Sequence, residues 1–93
     1  MDQDQVTEKA MYDNADKFID LANEMSKTEN YGTIGVAIRY AAARYSAFEA
    51  SLRTNNLAED KEKHILFFAN TFTEMLQKNF EEYINLQSQN TKD

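Results

Sequence analysis

No proline occurs anywhere in this 93-residue chain, and its apolar residues recur at spacings of three and four. Proline inside a helix removes a hydrogen-bond donor and clashes with the preceding turn, so nothing of that kind interrupts a long helix here. The three-four rhythm gathers apolar side chains on one helical face. No stretch alternates with period two far enough to argue for a strand. The sequence therefore predicts an all-α chain.

Two soft places divide it. Both glycines fall in TENYGTIG, at Gly32 and Gly35, and TNN occupies 54–56. The segment YGTIG reads as a turn followed by a helix start, so helices are expected at roughly 6–27, 34–53 and 57–86 of a single helical domain spanning 1–93. On the first helix Met11, Ala15, Phe18, Ala22 and Met25 form the apolar stripe, with Asp13, Asp16, Asp20 and Glu24 opposite. On the second, Ile34, Ile38, Ala41, Tyr45, Phe48 and Leu52 repeat the rhythm among many alanines, which favour helix, and Thr33 is the expected N-cap. On the third, Ile65, Phe68, Phe72, Met75, Leu76, Asn79 and Tyr83 trace the inner face. Asn56 and Glu59 suit a capping box at its start. Short connections favour antiparallel neighbours, so the expected architecture is an antiparallel three-helix bundle with a long third helix. A chain of this size should bury about two thirds of its unfolded surface, with Phe18, Phe48 and Phe72 in a shared dry seam.

The charge is unevenly spread. The net −6 divides into −5 over residues 1–30, +2 over 31–54 and −3 over 55–93. An arginine-bearing helix thus lies in sequence between two acidic ones. Antiparallel packing would bring Arg44 towards Asp16 or Asp20, and Arg53 towards Glu8 or Glu59.

These features exclude several functions. Without cysteine there is no disulfide framework, thiolate nucleophile or Cys-type zinc site. His64 is the only histidine, and position 61, where a Glu-x-x-His metal motif needs its acid, is lysine. It reads as a solvated histidine near a helix start. No Gly-x-Ser-x-Gly elbow surrounds a serine, and YGTIG lacks the lysine of a phosphate loop. Nucleic-acid binding needs a basic stripe that an acidic chain does not supply. No apolar run approaches the ~20 residues that span a bilayer, and the acidic opening MDQDQ is unlike a secretory leader. The expectation is a cytoplasmic protein with no cofactor, no metal, no membrane and no nucleic-acid partner.

The phrases FIDLANEM at 18–25, YAAARYSAFEAS at 40–51, and LAEDKEK through MLQKNFEEYI at 57–84 resemble a small family known mainly from proteobacteria, the domain of unknown function numbered 3144. The resemblance covers roughly residues 12–86. It implies a small cytoplasmic helical protein and carries over no catalytic motif. Asn23, Arg44 and Asn79 are the recognisable polar positions within its blocks. They read as interhelical hydrogen bonds that set register, or as the lining of a polar pocket or partner site.

Length supplies the remaining clue. A second helix of about 30 Å cannot accompany a third of about 45 Å along its whole course. The overhang carries Phe80, Tyr83 and Ile84, while Phe67 falls near the polar side of its helix. Either the first helix's end with Tyr31 and Ile34 covers Phe80 and Tyr83, or these four residues form a self-association surface, most often two-fold. The leading expectation is a non-catalytic interaction or structural module that dimerises or meets another protein. The alternatives are a small-ligand or metal-dependent enzyme using inter-helix carboxylates, and a regulator that meets a basic partner through the acidic first helix.

Overall fold

A computed structural model of the chain describes residues 7–90. It contains three α-helices: α1 (Glu8–Met25), α2 (Tyr31–Ser51) and α3 (Leu57–Asn90). There is no strand among the described residues. The all-α class and the overlong third helix are as the sequence leads one to expect. The tail of the predicted third helix lengthens further, from 86 to Asn90, and the predicted first residues, Val6 included, lie outside the described residues.

Each helix begins on identifiable chemistry. Thr7 caps α1, its Oγ1 accepting from the Ala10 amide at 3.1 Å. After Met25 the chain tightens: the Ser26 amide donates to the Ala22 carbonyl, and the Ser26 hydroxyl to the Asn23 carbonyl at 2.6 Å. Helix α2 starts three residues earlier than the glycines suggest. Asn30 is its cap, with Oδ1 accepting from the Thr33 amide at 2.8 Å. Thr33 is therefore capped rather than capping, and Gly32 and Gly35 sit inside the helix with ordinary negative φ. Helical glycine costs about 1 kcal/mol relative to alanine. The Asn30 cap and the alanines from Ala37 to Ala50 outweigh that cost.

The second break falls at TNN as expected. Thr54 organises it: its Oγ1 accepts from the Asn56 amide at 3.0 Å and donates to the Asp60 carboxylate at 2.7 Å. Asn56 stands immediately before α3, and its Nδ2 donates to Glu59 at 2.6 Å. Asn56 and Glu59 meet as expected, but side chain to side chain rather than through the backbone bonds of a capping box, and Thr54 rather than Glu59 receives the Asn56 backbone amide.

The chain divides into two compact units, Met1–Ala43 and Arg44–Asp93, with the boundary inside α2. In the first, Ile34 is buried at 6% exposure, and Gly35 and Ala22 are half-buried. In the second, Ala50 is buried at 3% exposure. Ser46 and Glu49 on α2 and Asp60, His64, Phe68 and Thr71 on α3 are half-buried.

The three phenylalanines expected in a dry seam are not withdrawn from solvent. Phe18, Phe48 and Phe72 are 70%, 51% and 50% exposed, and Ile34 and Ala50 are the only buried apolar residues described. The covered face of α3 explains part of the difference. Asp60, His64, Phe68 and Thr71 follow one another at four, four and three residues and so share a face. At about 100° per residue, that face lies roughly a quarter-turn from the stripe of Ile65, Phe72, Leu76 and Tyr83. Of the predicted inner face only Phe68 is withdrawn from solvent.

Candidate functional site

Exposed apolar residues lie on all three helices, Phe18, Tyr31 and Tyr40 among them, and α3 carries the longest helical run of them. That helix is 34 residues long against 21 for α2, about 51 Å against about 31 Å. From Phe72 to residue 89 every position is exposed. Phe80, Tyr83 and Ile84, three of the four residues expected at an interface, lie in this stretch and each is more than half exposed.

Phe67 does not join them. It is exposed, but at about 100° per residue it lies roughly 140° from Phe80 and 160° from Tyr83, and about 20 Å away along the axis. Its ring meets Phe68 edge-on, with centroids 5.6 Å apart and planes at 69°. The sequence reading grouped these four residues by hydrophobicity; the helix separates them into two places.

The three polar residues expected to set register are all exposed. Asn79 donates from Nδ2 to the Met75 carbonyl one turn back, at 2.8 Å. The backbone carbonyl of Asn23 accepts from the Ser26 hydroxyl. The side chain of Arg44, at the head of the second unit, makes no hydrogen bond or ion pair among the described residues. Arg53, just past the end of α2, pairs back with Glu49 in its last turn at 3.6 Å. The other described ion pairs are likewise local: Lys9–Asp13 at 2.6 Å, Lys27–Glu24 at 3.2 Å, and Lys61 beside Glu62. Exposed pairs of this kind contribute ~0–1 kcal/mol each.

His64 is half-buried rather than solvated, and its ring stacks on Phe68 at 6.4 Å and 26°. Asp60, one turn earlier, is engaged by Thr54. Among the described residues no group of three or more His, Asp or Glu side chains is placed to hold a metal ion. Nor is any described helix long and apolar enough to cross a membrane.

The sequence pattern of the family described as protein of unknown function (DUF3144) matches residues 11–84. The chain belongs to DUF3144. No curated protein and no solved structure matches it. The DUF3144 match takes in nearly all of α1, all of α2 and most of α3, and it includes Asn23, Arg44, Phe67, Asn79, Phe80, Tyr83 and Ile84.

Proposed function

We propose that this DUF3144 chain is a non-catalytic interaction module of the cytoplasm that self-associates, with aromatic surface on α3 as the contact. The observation that carries this reading is the run from Phe72 to residue 89, exposed at every position and bearing Phe80, Tyr83 and Ile84. Exposed apolar patches larger than a few hundred Å² mark interaction sites in soluble proteins. Covering a large apolar side chain contributes ~1.5–3 kcal/mol, so a few such residues suffice for micromolar association. The dispersed acids support the non-catalytic part. Glu49 and Asp60, half-buried, are taken up by Arg53 and Thr54, and the other described carboxylates are exposed.

Sedimentation equilibrium of the wild type and of Phe80→Ser tests the proposal. The expected result is a wild-type dimer in the micromolar range and a Phe80→Ser chain at least about tenfold weaker in association. A wild type that stays monomeric at high micromolar concentration overturns it.

A further inference from the structure

Helix α3 carries a heptad seam that the packing within its own unit leaves open. Ile65, Ala69, Phe72, Leu76, Asn79, Tyr83 and Leu86 follow at spacings of four, three, four, three, four and three, a sustained coiled-coil repeat over three heptads. All seven are exposed. The half-buried face of the same helix, Asp60, His64, Phe68 and Thr71, lies about a quarter-turn away. The seam is therefore free without disturbing that face.

We infer that α3 pairs along this seam with α3 of a second copy, parallel and in register, with Asn79 facing Asn79. The inference rests on the self-association proposed above and names its geometry. Three observations select a second copy. The seam carries no charge: Glu74, Lys78 and Glu81 lie on the outer side, and only Glu82 flanks the stripe. Two identical helices thus meet without opposed like charges, despite the net −6 of each chain. The area also suffices. The five large seam side chains with the flanking Met75 and Phe80 are each between 43% and 68% exposed. At on the order of 100 Å² each, they offer roughly 700 Å² per chain, close to the ~800 Å² per partner of a standard interface.

The third observation is Asn79, the one polar seam residue, and it sets direction. Its Nδ2 is held by the Met75 carbonyl, and its Oδ1 accepts nothing among the described residues. Parallel, in-register pairing puts two such amides together across the axis, where each can satisfy the other. Antiparallel pairing layers Asn79 against Leu76 of the second copy and leaves the amide facing hydrocarbon, a costly arrangement.

The chain has no cysteine, so one introduced thiol reports the register cleanly. Leu86→Cys should form a disulfide-linked dimer under mild oxidation, because each seam residue meets its own counterpart. Leu76→Asp should weaken sedimentation-measured association at least about a hundredfold, since it puts two carboxylates into the seam. Asn79→Leu, which keeps α3 helical by circular dichroism, should tighten association at least tenfold and admit mixed oligomers.

A monomeric wild type overturns both the self-association and its geometry. A dimer indifferent to Leu76→Asp and Asn79→Leu overturns the seam while the self-association stands. A dimer sensitive to them, which Leu86→Cys does not lock but a mixture of Ala69→Cys and Leu86→Cys chains does, overturns the parallel register alone.

Discussion

Asn30 shows how much a single polar side chain decides in this chain. Its Oδ1 takes the Thr33 amide at 2.8 Å, so the helix begins before two glycines that would otherwise be natural loop residues. Replacing an asparagine cap by alanine removes the acceptor for an end-of-helix donor and costs about 1 kcal/mol. Asn30→Ala should therefore lower stability by about that amount in urea denaturation followed by circular dichroism. Thr33→Ala, which keeps the backbone amide that Asn30 binds, should change it by less than about 0.5 kcal/mol. The reverse order, with Thr33 dominant, would restore the sequence-based expectation. That expectation failed for a physical reason. Cap preference ranks asparagine and threonine closely, so the choice between them turns on where the φ/ψ break falls. Glycine marks a permissive backbone but does not require one. At the second break the same kind of reading located the helix start and the Asn56–Glu59 contact at 2.6 Å, but not Thr54, which takes the Asn56 amide in place of Glu59.

At the scale of elements, the presence and type of all three helices were legible, and the face each one covers was not. Apolar periodicity locates a stripe, yet α3 carries apolar residues on more than one side, as Leu66, Phe67 and Ile84 show beside Ile65 and Phe72. A partner helix can cover only one of those sides. The side withdrawn from solvent is the one with Phe68 and polar neighbours, and the buried residue of α2 in the same unit is Ala50. Alanine there permits close approach, whereas a larger side chain would force the helices apart. Ala50→Leu should destabilise by ~1–3 kcal/mol through overpacking. Ala47→Leu, one turn back at an exposed position, should stay within about 0.5 kcal/mol of wild type. Equal effects in chemical denaturation would show that Ala50 is not confined in solution. The register-setting role read for Asn23, Arg44 and Asn79 meets the same limit. Sequence placed them in recognisable blocks, but their bonds in the structure stay on their own helix or are absent.

At the scale of the whole molecule, exposure and charge pull against each other. Exposed phenylalanines at 18, 48 and 72 favour any arrangement that excludes water, while a net charge of −6 on each chain opposes bringing two copies together. Salt weighs one against the other. An uncharged seam gains nothing from low ionic strength, and the repulsion between two acidic chains is felt over the Debye length, about 30 Å at 0.01 M and about 8 Å at 0.15 M. Self-association through α3 should therefore tighten several-fold as salt rises across that range, measured by sedimentation. An association that set the arginines of 31–54 against the acidic helices of another copy would do the opposite, because screening would weaken the attraction that held it. A dissociation constant that rises with salt would accordingly remove the uncharged seam as the contact and put Arg39, Arg44 and their acidic counterparts in its place.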